Sequence, residues 1–257
     1  MSPDGQSDQP HHFTLIAHRG DSASAPENTF ASFDLAIEKG FDNVELDVQL
    51  TSDGVPVVIH DATLDRTTNA SGPVSEISLA GIQQLDAGSW KDGRFRGEQI
   101  RTLEEILERY ATKLRLHLEL KSREQDLAEK VAPLLKAHGL LDNSNVEYEA
   151  PGLTITSFAI EQLFRSRQVM PNVRHGWLLT SITATDLKLA QHIGIDGIYP
   201  NAEFATPETV AMAVDGGMGV RCWGIANSES ALQKAFNSGA TGTTVDWPDI
   251  AREIFAK

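Results

Sequence analysis

Short apolar runs alternate along this chain with longer stretches whose apolar residues recur at helical spacing. Phe13 to Ala17 is the first run, and it ends in His18-Arg19-Gly20. After a loop with Pro26-Glu27-Asn28, a helix is predicted to about Lys39. It carries Phe30, Phe33 and Ile37 on one face and has Gly40 as its stop. Asn28 or Thr29 can cap it, with Asn28 the favoured cap. Val44 to Leu50 is the second strand. Val55 to Ile59 is another apolar run, reached through Ser52-Asp53-Gly54. Asp-Gly signals a hairpin whose favoured two-residue turn needs positive φ at both positions. The linker is too short to cross over a sheet, which takes roughly a dozen residues, so this run is an antiparallel arm. The exact pairing is open: a two-residue turn would set His60 opposite Asp47, whereas a slip of one residue would change the face it presents.

From Ala62 to about Ile100 the chain is rich in Thr, Ser, Gly and Asp, with a weak helical pattern near Leu79 to Leu85. It reads as an inserted lobe over the site, in a position to select substrate. Thr102-Leu103-Glu104-Glu105 then opens a helix as a capping box. In the strand Leu114 to Lys121, Leu114, Leu116, Leu118 and Leu120 face one way, and Arg115, His117, Glu119 and Lys121 the other. A helix over 123–138 contains Pro133, and five further strand–helix pairs follow. Counted without the arm, eight strands are each followed by a helix. That alternation predicts parallel strands closed into a (β/α)8 TIM barrel, with the hairpin arm and the lobe after strand 2. An open doubly wound sheet is the alternative. It is disfavoured because no glycine-rich dinucleotide fingerprint follows the first strand. Residues 13–257 read as one domain behind a disordered tail over 1–12.

Composition narrows the function. The formal net charge of −14 argues against a non-specific grip on nucleic acid or on anionic membrane. Residues Met1 to Gln9 are polar and resemble neither a signal peptide nor an anchor, and no run approaches the ~18 apolar residues of a membrane span. A cytoplasmic protein without stable membrane association is expected; oligomeric state is left open. The lone Cys222 excludes an internal disulfide and reads as a small buried strand residue. His11-His12 belongs to the tail.

In such a barrel the site lies at the carboxyl ends of the strands. His18, Arg19, Glu45, Asp47, His60, Glu119, Lys121, Trp223 and Asp246 all fall there. Glu45 and Asp47 share a strand face, where two carboxylates repel each other unless a proton or a metal lies between them. Glu45, Asp47 and Glu119 offer hard oxygen ligands that suit one divalent ion, Mg2+ or Ca2+. Salt bridges to Arg19 and Lys121 are the plainer explanation for any single acid. His18 and His60 suit acid–base roles, and Arg19 and Lys121 suit a phosphate. His117 lies deeper than Glu119 and is a barrel-filling or supporting residue. Glu27 can orient the first loop or touch substrate. Asp61, Asp246 and Trp223 are weaker candidates, Trp223 as a lining of the pocket mouth.

His18-Arg19-Gly20, Pro26-Glu27-Asn28-Thr29, Glu45-Leu46-Asp47-Val48, the Asp-Gly turn, His60-Asp61 and Leu118-Glu119-Leu120-Lys121 together resemble the signature of glycerophosphodiester phosphodiesterases. Two segments depart from it. Val245 stands where a threonine is usual, and Cys222-Trp223-Gly224-Ile225-Ala226-Asn227 varies a Trp-Thr-Val-Asn segment. The resemblance implies metal binding by Glu45, Asp47 and Glu119, catalysis by His18 and His60, and phosphate or substrate binding by Arg19, Lys121 and Trp223. It implies a small-molecule glycerophosphodiester substrate, split into sn-glycerol 3-phosphate and an alcohol such as choline or ethanolamine. A lipid-directed lysophospholipase D or phospholipase C-like enzyme, and a non-catalytic barrel that binds a phosphorylated ligand, are the alternatives.

Overall fold

The computed structural model describes residues 13–141 and 148–255; the tail over 1–12, with its two histidines, lies outside them. Strand β1 (Thr14–His18) leads to helix α1 (Phe30–Glu38), and β2 (Asn43–Leu50) turns back into the antiparallel β3 (Pro56–Val58). The lobe holds α2 (Leu79–Ile82) and two short 3-10 turns. Helices and strands then alternate: α3 (Leu103–Tyr110), β4 (Arg115–Leu120), α4 (Leu127–Ala137), β5 (Gly152–Ser157), α5 (Ile160–Val169), β6 (Arg174–Leu179), α6 (Ala184–His192). They end with β7 (Gly197–Pro200), α7 (Pro207–Asp215), β8 (Gly219–Cys222), α8 (Glu229–Asn237), β9 (Gly242–Val245) and α9 (Pro248–Phe255). The sheet runs β1-β9-β8-β7-β6-β5-β4-β2-β3, and a β1–β2 pairing closes it. All strands but β3 pair in parallel around the ring, so the fold is a closed (β/α)8 TIM barrel.

The two faces of each strand do different work. On β2, Val44, Leu46, Val48 and Leu50 join the apolar layer under the helices, against Phe33 and Ala36 of α1 and Leu103, Ile106, Leu107 and Tyr110 of α3. Burial of each such side chain stabilises by roughly 1.5–3 kcal/mol. The alternate residues Asn43, Glu45, Asp47 and Gln49 point into the barrel, as do Arg115, His117 and Glu119 of β4, and all are buried. The interior is therefore polar. Arg115, 1% exposed, donates to the carbonyls of Glu149 and Leu153, both at 3.1 Å. His117 Nε2 meets Asn43 Oδ1 at 3.0 Å. Burial and the nearby Arg221 hold His117 well below its ordinary pKa, so it is a neutral barrel-filling residue. Glycines make the room for such bulk: a Cβ on Gly176 would lie 1.8 Å from the Tyr199 ring, and one on Gly152 would lie 2.3 Å from the Arg115 guanidinium.

The hairpin departs from the predicted turn. Only Gly54 has positive φ, at 75°. Its N–H donates to Thr51 O at 2.9 Å while Thr51 N–H donates to Val55 O at 3.1 Å, a three-residue loop closed by a left-handed glycine. Asp53 acts as a brace, its Oδ1 accepting from Thr51 Oγ1 at 2.5 Å and from Leu79 N at 3.0 Å. Leu50 consequently pairs with Pro56, and the Asp47 carbonyl accepts from Ile59 N–H, not from His60. The register is one residue from that of a two-residue turn. The lobe packs its own small core, Leu64, Val74, Ile82, Ala87 and Ile100, onto Val57 and Ile59 of the arm. Its root is closed where Val57 bridges Thr102 and Val58 N–H donates to Arg101 O. Among the described residues no helix is long and apolar enough to cross a membrane.

Gly176→Ala is expected to lower unfolding stability by about 1–3 kcal/mol, because the added methyl collides with a closely packed interior ring. Tyr199→Leu in the same chain should recover part of that loss. Denaturant titration of both variants measures it.

Candidate active site

The first loop is built for close approach. Gly20 has φ 81°, and a Cβ there would stand 2.5 Å from the Ser32 carbonyl carbon. Arg19 and Asn28, neither a glycine, also have positive φ, at 56° and 60°; such strain is held only where the surroundings over-determine it. Here Arg19 N–H donates to Glu45 Oε2 at 3.2 Å, and Arg19 O accepts from Asn28 N–H at 3.0 Å and Ser32 Oγ at 2.8 Å. Asn28 is not the helix cap. Thr29 caps α1 in a capping box with Ser32, which frees the buried Asn28 to donate through Nδ2 to Asp47 Oδ2 at 2.9 Å.

Glu45, Asp47 and Glu119 each bring a carboxylate oxygen within 4.8 Å of the others, and all three are buried. Arg19 Nε lies 3.2 Å from Asp47; Lys121 Nζ lies 3.1 Å from Glu119 and 3.7 Å from Asp47. Both the acid cluster and the salt bridges are thus present. Were all three acids ionised, Arg19 and Lys121 would leave one negative charge uncompensated. The acids' pKa values diverge accordingly. Burial and the charge of Asp47 push Glu45 well up and Glu119 to about 7. Against its burial, Arg19 and Lys121 hold Asp47 below its ordinary value. Asp47 Oδ1 has no hydrogen bond. A hard divalent cation fits this donor set: it would engage that oxygen and relieve the repulsion that otherwise favours protonation.

The two histidines are held alike. His18 Nδ1 lies 2.6 Å from Asp246 Oδ1, and His60 Nδ1 lies 2.7 Å from Asp61 Oδ1. A carboxylate only accepts, so each Nδ1 carries the proton and each Nε2 is left for chemistry. His18 Nε2 is 3.8 Å from Glu45 Oε2. Burial, with Arg19 and Lys121 nearby, holds His60 below its ordinary pKa. Asp61 is in turn held well below the usual carboxylate range by Arg66, at 2.7 Å from Nε.

Gln49 brings His60 into place despite the shifted register. Its Nε2 donates to the carbonyls of Ile59 (3.2 Å), His60 (2.9 Å) and Asp61 (2.5 Å), so the chain leaving β3 is gathered toward the barrel mouth. His18, Arg19, Glu45, His60, Glu119, Lys121, Trp223 and Asp246 all line one cavity of about 620 Å³. Asp47 lies behind them, completely buried. Trp223 gives its indole N–H to Leu179 O at 2.9 Å and stands edge-on to Phe158, so it offers the cavity an apolar surface and no free donor. Cys222 is buried in β8, where burial pushes its thiol up to about 12.

Sequence reasoning missed Gln49, Arg66, Trp90, Lys91 and Arg221. Gln49 and Arg221 were within reach of the inward alternation on their strands. The lobe residues were not: Arg66 joins Glu27 at 2.6 Å and Lys91 Nζ reaches Ser22 O at 2.7 Å, contacts made only in three dimensions.

Two outcomes are expected. Gln49→Leu strands three carbonyls and releases His60, so kcat should fall by about tenfold or more while the fold is retained; unchanged kcat would show that Gln49 does not position the histidine. The second concerns pH in the ion-free protein. Glu119 has a folded pKa of about 7, above its ordinary 4.5, so its contribution to stability is complete below about pH 4.5 and is lost as pH rises through 7. Histidines held below 6.5 act below that window. Chelator-treated protein should lose roughly 1 kcal/mol between about pH 6.5 and 8, less in Glu119→Gln and less with saturating Ca2+; a rising melting temperature across that window would contradict this.

The glycerophosphoryl diester phosphodiesterase family model matches residues 18–250. A glycerophosphodiester phosphodiesterase of Caldanaerobacter subterraneus subsp. tengcongensis is 33% identical over 95% of this chain and 98% of its own. One of Bacillus subtilis strain 168 is 32% identical over 95% of this chain and 87% of its own. The crystallised Oleispira antarctica phosphodiesterase, in complex with the product sn-glycerol-3-phosphate, superimposes with a TM-score of 0.85 at 31% identity, over 95% of this chain and 97% of that one. The match along nearly the whole described barrel, through both histidines and all three acids, means that this chain belongs to the glycerophosphoryl diester phosphodiesterase family.

Proposed function

We propose that this protein hydrolyses glycerophosphodiesters to sn-glycerol 3-phosphate and an alcohol, by metal-dependent catalysis between two histidines. The observation that carries the reading is that two aspartate-supported imidazoles and a buried three-carboxylate cluster share one cavity with Arg19 and Lys121. Membership of the family and the product bound by the Oleispira antarctica relative support it.

Glu45, Asp47 and Glu119 would hold one divalent ion, Mg2+ or Ca2+, and with it the site gains the positive charge that draws in a phosphodiester and offsets charge developing on its oxygens. Arg19 and Lys121 orient the phosphate from within the cluster. His60, kept neutral by burial and by those two cations, suits the base: its Nε2 accepts the proton of the nucleophile, either water or a neighbouring glycerol hydroxyl whose cyclic phosphate product water then opens. His18 has Asp246 on one nitrogen and Glu45 3.8 Å from the other. With Nδ1 held by Asp246, its Nε2 is the nitrogen placed to give a proton to the departing alkoxide. A small soluble diester, not a bilayer lipid, is the substrate that fits a chain of net charge −14.

Hydrolysis of glycerophosphocholine should be abolished by EDTA and restored by Mg2+ or Ca2+. His18→Ala and His60→Ala should each cost about 10³-fold or more in kcat. A p-nitrophenyl ester, whose leaving group needs no proton, separates the two roles. His18→Ala should recover much of its rate on that substrate and His60→Ala should not; the reverse pattern exchanges the roles, and unimpaired turnover in both variants rejects the mechanism.

A further inference from the structure

Among the described residues Arg221 is a buried cation without a counter-charge. It points inward from β8, two residues before Trp223, and lines the cavity with Thr156, Leu178 and Thr244. In the ring β8 stands across from β4, the strand of Glu119. Arg221 is 2% exposed, its guanidinium lies over the Tyr199 ring at 4.5 Å, and its Nε has no hydrogen-bond partner. Among the described residues no carboxylate forms an ion pair with it. The other cations that line the cavity are committed: Arg19 to Glu27 and Asp47, Arg66 to Glu27 and Asp61, Lys121 to Glu119 and Asp47, and Lys91 to a backbone carbonyl. A buried guanidinium with unmet donors is costly unless something accepts from it, and an aromatic face supplies no acceptor oxygen.

The cavity also has two unlike ends. Arg221 and Thr244 lie deeper along their strands than Trp223 and Asp246, so the inner end offers hydrogen-bond donors. The outer end is flanked by Trp90, Phe158 and Trp223. A phosphate held between Arg19 and Lys121 would send one arm of a diester inward and the other outward.

We infer that Arg221 is a specificity residue, whose guanidinium donates to the hydroxyl oxygens at the glycerol end of the diester. The inference rests on the functional reading above and deepens it. The inner end reads the part common to all glycerophosphodiesters, and the outer end leaves the alcohol less constrained.

Arg221→Met and Arg221→Lys, compared on glycerophosphocholine and on bis(p-nitrophenyl) phosphate, which has no glycerol hydroxyls, test it. Arg221→Met should raise KM for glycerophosphocholine, and weaken calorimetric binding of sn-glycerol 3-phosphate, by about tenfold or more, the worth of a hydrogen bond to a charged group. Turnover of bis(p-nitrophenyl) phosphate should stay within about twofold, and Arg221→Lys should restore part of the glycerol preference. Should Arg221→Met not fold, Arg221→Lys alone must show the same split between substrates. Equal losses on both substrates, or no change on either, overturn the inference while the functional reading stands. A wild-type enzyme that cleaves bis(p-nitrophenyl) phosphate but no glycerophosphodiester overturns both.

Discussion

Three carboxylates buried together at the mouth of a barrel are the constraint around which this protein is arranged. Glu45, Asp47 and Glu119 sit on two adjacent parallel strands, in register so that Asp47 pairs with Glu119. Burial removes the water that would screen them, and their repulsion pushes Glu45 and Glu119 up while Arg19 and Lys121 hold Asp47 ionised. A fold that gained nothing from this would replace the acids with apolar residues of similar volume, which often costs little or stabilises. Retained, they form a cluster that could hold a divalent cation.

The rest of the site is a set of devices that aim side chains at that cluster. The strained Arg19 backbone turns its N–H onto Glu45, and Asn28 leaves the helix cap to Thr29 and fixes the second oxygen of Asp47. Each of the two histidines is held at Nδ1 by its own aspartate. One comes directly from the end of β1, whereas the other arrives by way of an antiparallel arm and is caught by Gln49. The lobe then joins the first loop through Arg66–Glu27 and Lys91–Ser22, so that two distant segments of sequence form one wall.

Much of this was legible in the sequence. The alternation of strands and helices gave the closed barrel, and the inward alternation on β2 and β4 placed Glu45, Asp47 and Glu119 on a common face. Two local readings went astray because a side chain had a better use elsewhere. Asp53 braces the lobe rather than adopting positive φ, which lengthened the turn and shifted the register. Asn28 serves Asp47 rather than α1. Arg66 and Lys91 were hidden for a different reason: a polar lobe has no periodicity that says which of its cations turns inward. Arg221 sat on a strand whose inward face was predictable, but its lack of a partner is a property of the assembled cavity.

The central claim is that the acid cluster binds one divalent ion on which the histidine pair depends. Calorimetric titration of Ca2+ or Mg2+ into chelator-stripped protein, with Asp47→Asn beside the wild type, tests it most directly. One ion per chain in the wild type, with binding lost in Asp47→Asn and the fold intact, is the predicted result. No binding by the wild type, or equal binding by both proteins, would contradict it.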